Sequence, residues 1–332
     1  MRSMMLTEEK MIHFIINPTA GSDKGISVWR DLEPELIKYS LSYDVFFTQY
    51  PTQATEEATR LLACEEAPVF AILGGDGTLH EVLEALKDES SAKATLMYLP
   101  CGSGNDFARG LALTKDPMKF AADLAAYSSS TKKGETPAHM LALSHGFITI
   151  QDEKENFFVS GGIGFDASVT EAIATSPLKP LANRLKLGTL AYLLLGIRQV
   201  FTEKSAPARI IVDGKKQLNT DRLFFLSAHN LKYEGGGFPF APHANPEADE
   251  IALCIFYDMG ILGCIVGLLA SLFGLHKYKK GVALLTCKHV EIFSEKCRTV
   301  HTDGESLGYL DHISFSAGKG RIRLLYTKKA DK

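Results

Sequence analysis

The sequence predicts an amino-terminal α/β domain with a doubly wound parallel sheet, followed by a carboxy-terminal, mostly antiparallel β-sandwich-like domain. A chain of 332 residues with 45% hydrophobic content is longer than one core usually serves, which indicates two domains. Strand and helix patterns alternate ahead of Ser128–Gly134, whereas strand patterns crowd together after this linker-like stretch. We therefore expect a first domain over 10–133 and a second domain over 134–318. Residues 319–328 are candidates to return to the first domain.

The elements of the first domain follow from apolar runs and helical periodicity. Strands are predicted at Met11–Ile16, Tyr43–Thr48, Val69–Leu73 and Thr95–Leu99. A helix is predicted after each of the first three strands, because apolar residues recur there at helical spacing. In such sheets, ligands bind beyond the carboxyl ends of the strands. Three glycine-containing turns are predicted at that edge: Asn17–Gly21, Gly74–Thr78 and Pro100–Asp106.

The turn Gly74–Thr78 has the sequence GGDGT and joins a predicted strand to a predicted helix. Its glycines leave backbone N–H groups uncovered, and the following helix adds its positive amino-terminal end, so the turn suits a phosphate. Asp76 would repel a phosphate and is therefore predicted to face a metal ion, a bound water or a ribose. A glycine turn that is tight only for packing reasons is the alternative. The chain has no GxxxxGK[ST] motif, which excludes a P-loop nucleotide site.

The charge and the cysteine content of the chain limit the kinds of partner and binding site that we expect. A formal net charge of −3 and a pI near 6.4 give no electrostatic reason to expect a nucleic-acid partner. The six cysteines lack CxxC or zinc-ligand spacing, as in proteins with reduced thiols, and Cys101 is interpreted as a small space-filling residue. Residues Met1–Lys10 lack the apolar core of a secretory signal, so a cytoplasmic location is expected.

The second domain is predicted from a series of short strand patterns and two apolar helical segments. The strands are Ala142–Ile150, Asn156–Ser160, Ala208–Val212, Arg222–Ala228, Glu250–Tyr257, His289–Ser294 and Ile313–Phe315, with a last strand, Arg321–Tyr326, that could return to the first domain. The helical segments are Leu187–Phe201 and Met259–Leu275. Met259–Leu275 has glycines along one face, lacks charge and is shorter than the about 20 residues of a membrane span. A buried core helix is favoured over a surface that touches anionic lipid through the lysines that follow.

Three segments together resemble a known family. NPTAG at 17–21, GGDGTLHE at 74–81 and PCGSGNDFARGL at 100–111 are similar, in order and separation, to the nucleotide-binding motifs of the diacylglycerol kinase catalytic-domain family. That family includes bacterial soluble lipid kinases and sphingosine kinases. Segments at 160–167, 241–249 and 302–306 continue the resemblance over nearly the whole chain. It implies transfer of the γ-phosphoryl group of ATP, with Mg2+, to a hydroxyl of a membrane lipid in phospholipid biosynthesis, with diacylglycerol as the default acceptor.

The resemblance also implies a role for individual residues. Nucleotide binding is implied for Asn17, Pro18, Thr19, Ala20, Gly21, Thr48, Gly74, Gly75, Asp76, Gly77, Thr78, Leu79, His80, Gly102, Ser103, Asn105, Asp106 and Arg109. Asp249 is implied as a structural metal ligand, helped by carbonyl groups near Pro246 and Ile251, and such oxygen donors suit Mg2+. Glu305 is implied as the proton acceptor at the lipid hydroxyl, with Asp303 assisting. Physical reasoning supports a carboxylate at the acceptor without fixing which one.

Two departures from the family pattern leave alternatives open. Asp249 is followed by Glu250 where the family often has glycine, and His139 stands where many bacterial members have an aspartate. A kinase similar to the NAD kinases, which share GGDGT, is one alternative. The other is a non-catalytic regulator that binds lipid and nucleotide. The expected partner is a membrane lipid, met by peripheral contact at the inner face of the membrane, and a homodimer is compatible with the sequence.

Overall fold

The structure is a computed structural model that describes residues 10–86, 92–132, 139–175, 196–318 and 321–326. The chain forms two compact units, which are Met1–Leu143 with Arg321–Lys332, and Ser144–Gly320. Within the described ranges, no helix has both the length and the apolar character needed to cross a membrane. Most of the predicted helix Leu187–Phe201 lies outside the described residues, and only 196–202 is described, as helix.

The first unit contains a six-stranded sheet with helices between its strands. Its strands are β1 (Ile12–Ile16), β2 (Tyr43–Phe47), β3 (Val69–Gly74), β4 (Thr95–Pro100), β5 (Met140–Leu143) and β15 (Ile322–Leu325), in the spatial order β2-β1-β3-β4-β15-β5. Its helices are α1 (Ala20–Lys38), α2 (Gln53–Cys64), α3 (Asp76–Ala85), α4 (Asp106–Gly110) and α5 (Pro117–Lys132). All neighbouring strands are parallel except β5, which runs antiparallel to β15.

The strand order creates the point at which such sheets bind ligands. The chain leaves β1 for β2 on one side and returns through α2 to β3 on the other, so the connections diverge between β1 and β3. Ile16 is level with Leu73, and Gly74 with Pro100, so β1, β3 and β4 end together. Every residue of these three strands is buried, which explains their unbroken apolar runs.

The second unit contains a nine-stranded antiparallel sheet. Its strands are β6 (Gly146–Ile150), β7 (Glu153–Phe157), β8 (Ser160–Gly164), β9 (Ala206–Val212), β10 (Lys216–His229), β11 (Ile251–Tyr257), β12 (Val282–Cys287), β13 (His289–Thr302) and β14 (Glu305–Ala317). Eight of them follow the order β12-β11-β10-β8-β13-β14-β6-β7, and β9 pairs with both β10 and β13. Because β8, β10, β9 and β13 pair in a closed circuit, the sheet folds back on itself around an apolar core.

Two sequence predictions for this region are wrong. The predicted single strand Ala142–Ile150 is divided between β5 of the first sheet and β6 of the second, because the buried polar pair Ser144 and His145 interrupts it. The second apolar segment forms α7 (Ile261–Ser271), which is not a buried core helix. Only its small residues are buried, and a Cβ at Gly267 would lie 2.6 Å from the Phe256 ring.

The opposite side of α7 and the turn after it expose a large apolar surface. We call it the α7 patch, and its members are between 41% and 76% exposed: Ile261, Leu262, Val266, Leu269, Leu272, Phe273, Leu275 and Tyr278. Of the four glycines that the sequence placed on one helix face, only Gly267 is buried, whereas Gly260 and Gly263 are exposed. The large apolar residues were predicted to be buried and are exposed.

Candidate active site

The loop after β1 is tied to the loop after β3 by Asn17. Its backbone N–H donates to the carbonyl of Leu73 at 2.9 Å, and its side-chain Nδ2 donates to Thr78 Oγ1 at 3.1 Å. Its Oδ1 accepts hydrogen bonds from the backbone N–H and the hydroxyl of Thr19, at 3.1 and 3.0 Å. The first two predicted turns are therefore one hydrogen-bonded unit.

The third turn packs against both of the others through glycines. A Cβ at Gly102 would lie 2.6 Å from the Cα of Gly75, so the second and third loops touch backbone to backbone. Gly21 has φ +61°, and a Cβ there would lie 2.1 Å from the carbonyl oxygen of Cys101. Only glycine combines that conformation with that approach. The structure thus brings together the three turns that the sequence placed at one edge of the sheet.

Tyr98, which the sequence analysis did not select, lies beneath these loops. Its buried hydroxyl is 3.2 Å from the carbonyl of Gly74 and 3.3 Å from Asn105 Oδ1. Asn105 adopts φ +54° and donates from Nδ2 to the carbonyl of Gly102 at 2.6 Å. Burial holds the pKa of Tyr98 well above its ordinary value, so the hydroxyl stays neutral and can donate.

Asp76 begins α3 and has two differently placed oxygens. Oδ2 accepts a hydrogen bond from the backbone N–H of Asp106 at 3.2 Å and so caps α4. Oδ1 is buried and has no hydrogen-bond partner among the described residues. Burial, and after it the nearby negative charge of Asp106, raise the pKa of Asp76 to about 6. A buried, unpaired carboxylate oxygen is the kind of donor that a hard cation such as Mg2+ takes.

The remaining residues that were predicted to bind the nucleotide lie on the same loops and helices, and their side chains differ in exposure. Thr48 follows β2 and donates its backbone N–H to the carbonyl of Ile16 at 2.9 Å. Arg109 forms an ion pair with Asp106 and also donates to the carbonyl of Gly104 at 3.1 Å. Leu79 is only 1% exposed, so its side chain belongs to the core. Pro18, Ala20, Gly77, His80 and Ser103 lie on or beside the same loops and helices.

The cysteine of the third turn behaves as a structural residue. Cys101 is fully buried, and its thiol lies 3.4 Å from the carbonyl of Leu99. Burial raises the pKa of this thiol to about 11, so it stays protonated and unreactive at neutral pH. The interpretation of Cys101 as a space-filling residue is confirmed.

In the second unit, Asp303 lies in the tight turn between β13 and β14, and Glu305 is the first residue of β14. Asp303 and Gly304 have φ +44° and +90°, the positive values of a two-residue type I′ hairpin. The Asp303 carboxylate accepts backbone N–H groups from three successive residues, Phe158, Val159 and Ser160, at 2.7, 2.8 and 3.0 Å. Glu305 pairs with Thr302 across the hairpin, and its side chain is exposed. Asp303 is thus held in place, whereas Glu305 can reach a ligand.

The predicted metal ligands Asp249, Pro246 and Ile251 do not form a ready site. The carbonyl of Pro246 accepts two hydrogen bonds from Ser144, from its N–H at 2.7 Å and its hydroxyl at 3.0 Å, which occupy both lone pairs. Ile251 begins β11 as a fully buried strand residue, and Asp249 lies exposed before it. The Pro246 carbonyl therefore does not fit Mg2+ coordination here. His139, at the start of β5, accepts the N–H of Tyr326 at 2.7 Å through its carbonyl.

Comparisons with known proteins agree with this arrangement. The family model described as the diacylglycerol kinase catalytic domain matches residues 11–137, and the model described as the YegS C-terminal NAD kinase beta sandwich-like domain matches residues 160–320. The chain is 30% identical over 297 residues to a Bacillus subtilis protein named "Putative lipid kinase YtlR", covering 89% of this chain and 93% of that protein. The chain belongs to the diacylglycerol kinase catalytic-domain family.

Further relatives support this membership. A Staphylococcus aureus protein named "Diacylglycerol kinase" is 26% identical over 303 residues, which cover 91% of this chain and 88% of that protein. A Bacillus anthracis structure titled "Crystal structure of a putative diacylglycerol kinase" superposes with a TM-score of 0.73 at 21% identity, covering 96% of this chain and 97% of that one. This structural likeness confirms the predicted fold class. By its family, the protein is a lipid kinase, an enzyme that transfers a phosphoryl group.

Sequence reasoning on this lipid kinase missed a buried polar cluster in its second unit. Asp166, Glu234, His229 and His301 come from three distant parts of the chain and meet beside β8 and β13. The two carboxylates raise the pKa of His301 to about 10 against the opposing effect of burial, whereas burial and then the charge of His301 lower that of His229 to about 3. The signals in the sequence were Asp166, in the family-like segment at 160–167, and His301, two residues before Asp303 in a strand that was not predicted to extend so far.

Proposed function

We propose that this lipid kinase transfers the γ-phosphoryl group of ATP, bound with Mg2+, to a hydroxyl of a membrane lipid, and that diacylglycerol is the acceptor. The proposed binding of ATP rests on the packing of three glycine-rich loops around Asp76, at the switch point of the parallel sheet. Backbone N–H groups and helix amino-terminal ends are suited to phosphates there. The name of the Staphylococcus aureus relative favours diacylglycerol as the acceptor.

In the first unit, loop residues are proposed to shape the phosphate site, and Asp76 is proposed to hold the cation that neutralises the phosphate charge. Asn17, Gly75 and Gly102 shape the loops around the phosphates, and Arg109 holds Asp106 and the Gly104 carbonyl in place. Asp76 Oδ1 is the proposed Mg2+ contact, since it is a buried oxygen without another partner among the described residues. A bound Mg2+ would neutralise charge that develops on the phosphates.

The proposed roles at the acceptor rest on the hairpin of the second unit. Glu305 orients the lipid hydroxyl and takes its proton late in the transfer, which needs positioning more than strong basicity. Asp303 is a positioning residue, because its carboxylate is engaged by three backbone N–H groups and fixes the turn that carries Glu305. Both carboxylates are therefore used, but for different purposes.

The proposed membrane contact is the α7 patch, which we assign to an anionic bilayer surface. Large apolar side chains are exposed there, and Lys277, Lys279 and Lys280 follow directly and are exposed as well. No Asp or Glu occurs between Asp258 and Glu291 in the sequence, so the lysines of this stretch have no acidic neighbour along the chain. Exposed apolar residues beside lysines fit the interface of a membrane with anionic lipids.

The test is transfer of labelled γ-phosphate from ATP to separate dispersions of diacylglycerol, monoacylglycerol, phosphatidylglycerol, ceramide and sphingosine, with NAD as a further arm. Label in diacylglycerol that requires Mg2+ and is lost with a chelator supports the whole proposal. Label in another lipid corrects the acceptor. Label only in NAD, or in nothing while ATP still binds, contradicts the proposed function.

A further inference from the structure

Three buried side chains with metal-binding atoms meet inside the second unit, outside the residues given a role above. Asp166 lies at the start of α6 (Phe165–Ala174), Glu234 in the loop after β10, and His301 near the end of β13. Their exposures are 7%, 9% and 1%. Buried ionisable groups are costly unless something compensates their charge, so a cluster of three requires an explanation.

The distances within the cluster match a coordination shell. His301 Nε2 lies 3.2 Å from Glu234 Oε1 and 3.4 Å from Asp166 Oδ2. Both ring nitrogens of His301 and Oδ2 of Asp166 are buried. None of these atoms has a partner at hydrogen-bond geometry among the described residues. Zinc–ligand bonds of about 2.0–2.2 Å at tetrahedral angles place ligand atoms about 3.4 Å apart. All three ligand atoms lie within 4.8 Å of one another, close enough for one ion to contact them together.

The backbone is shaped to direct these groups inward. A Cβ at Gly162 would lie 1.9 Å from Asp166 Oδ2, so only glycine leaves room for that carboxylate. Glu234 and Phe238 exchange two backbone hydrogen bonds, at 3.0 and 2.8 Å, around three glycines with φ +59°, +80° and +117°. Glycine adopts such conformations readily, and here they place the Glu234 carboxylate in the interior.

Charge balance and the choice of donors favour a particular class of ion. Two carboxylates and one neutral imidazole carry two negative charges, which one divalent cation cancels. A mixed nitrogen and oxygen set suits Zn2+, whereas Mg2+ prefers oxygen ligands and retains several waters. Glu234 Oε2 also lies 3.5 Å from His229 Nε2, which contacts Ser227 Oγ at 2.8 Å. Outer contacts of this kind orient the ligands of metal sites.

We propose that Asp166, Glu234 and His301 bind one divalent transition-metal ion, with Zn2+ as the best match and water in the fourth position. The ion joins α6, the glycine loop after β10 and the end of β13. Its role is structural support of the strand that leads into the Asp303–Gly304 turn. This site is separate from the Mg2+ proposed at Asp76, and it takes a different class of metal.

The test measures metal binding on the full chain without ATP or lipid, so its result is independent of the kinase assay. Protein stripped with a chelator is titrated with Zn2+ by calorimetry and with Co2+ by visible absorption, which reports tetrahedral coordination. We expect one ion per chain and a loss of affinity of about 100-fold or more in His301→Gln and in Asp166→Asn. The matched control is His312→Gln, which removes an exposed histidine 3.1 Å from Glu291 and should leave binding unchanged.

Two results would overturn the proposal. One is wild-type protein that shows no saturable Zn2+ or Co2+ binding, which would leave the cluster as an imidazolium held between two carboxylates. The other is undiminished binding in His301→Gln that is folded by circular dichroism. Because the wild-type titration needs no variant, the proposal can fail even where a substitution prevents folding.

Discussion

The two carboxylate oxygens of Asp76 have different surroundings. One caps α4, and the other is buried without a partner among the described residues. The groups facing this carboxylate are the Asp106 carboxylate, the Tyr98 hydroxyl and the backbone N–H groups that begin α4. Keeping an ionised group here reduces stability when no cation is bound, and such strain is characteristic of a binding site.

Replacing Asp76 with asparagine should therefore stabilise the ligand-free protein in a pH-dependent way. The pKa of Asp76 is raised from 3.8 to about 6, so the fold favours the protonated carboxyl, and that contribution is lost as the pH rises through 6. We expect Asp76→Asn to raise the free energy of unfolding by about 2–3 kcal/mol at pH 7.5 and by little below pH 4. Denaturant unfolding in chelator from pH 4 to 8 measures this.

Asp31→Asn, at an exposed position on α1, is the matched control for that experiment and should show no such pH dependence. Equal stability of Asp76→Asn and wild type at every pH would mean that the Asp76 carboxylate is not under strain. Kinase activity should fall in Asp76→Asn at the same time, because the proposed Mg2+ contact is lost.

The glycines of the loops differ in what they do for the fold. Gly102→Ala brings a Cβ within 2.6 Å of the Gly75 backbone, whereas a Cβ at Gly77 has no neighbour within 4 Å among the described residues. We expect Gly102→Ala to lower the free energy of unfolding by about 1–3 kcal/mol, and Gly77→Ala to leave it unchanged or raise it. Thermal unfolding and ATP titration separate the two effects.

Gly77→Ala has a second expected result. If the backbone at Gly77 approaches the phosphates as proposed, the added methyl group weakens ATP binding without weakening the fold. Unchanged ATP affinity in Gly77→Ala would remove this glycine from the nucleotide site and leave GGDGT as a packing motif at that position.

At the scale of elements, α7 has the clearest division between a packed face and an exposed face. Gly267 packs closely against Phe256, and the large apolar residues of the helix are exposed as the α7 patch. Periodicity predicted the helix, but its packed face is formed by Cys264, Gly267 and Ser271 and not by the four glycines. It could not predict which face is covered, because that depends on the strands of β11 and β12 packed beneath and not on the helix sequence.

Removing apolar area from the α7 patch should weaken membrane binding and spare catalysis. Leu262 and Phe273 are 75% and 76% exposed, and replacing both with serine should lower partitioning to phosphatidylglycerol vesicles by about a hundredfold. Activity on a short-chain, water-soluble acceptor should be unchanged. Vesicle cosedimentation measures the binding, with Ile37→Ser, 64% exposed on α1, as the control.

Charge in the same patch can be tested separately. Replacing Lys277, Lys279 and Lys280 with glutamine should weaken binding to anionic vesicles, by about 1 kcal/mol for each lysine near the surface, and not to neutral ones. Binding that survives both sets of substitutions would place the membrane contact elsewhere on the chain.

Strand predictions succeeded for the apolar strands of the first sheet and missed the glycine-rich β8, β12 and the polar half of β13. The strands β1, β3 and β4 are apolar throughout and were found nearly to the residue. The second half of β13 contains Glu295, Lys296 and Arg298 and was not predicted. Arg298 is nevertheless buried, because Glu203 lies 2.6 Å from its Nη2 and the carbonyls of Leu223 and Phe224 accept from it. Such compensation arises from residues far along the chain.

At the scale of the whole molecule, the fold class and the family could be predicted from the sequence, and the contacts within the site could not. Three motifs at the ends of β1, β3 and β4 were enough to predict that their loops meet. The Asp303 carboxylate accepts the N–H of Phe158, 145 positions away in the chain. The Pro246 carbonyl accepts from Ser144, 102 positions away. No local pattern carries information about such pairs.

The most direct test of the account is the single-turnover rate of γ-phosphoryl transfer from ATP to diacylglycerol in vesicles, for wild type, Glu305→Gln and the exposed control Glu295→Gln. We predict that Glu305→Gln lowers the rate about 10²–10⁴-fold while the dissociation constant for ATP and the free energy of unfolding stay near wild type, and that Glu295→Gln changes none of them. A wild-type rate in Glu305→Gln would contradict the proposed role of the hairpin carboxylate in this lipid kinase.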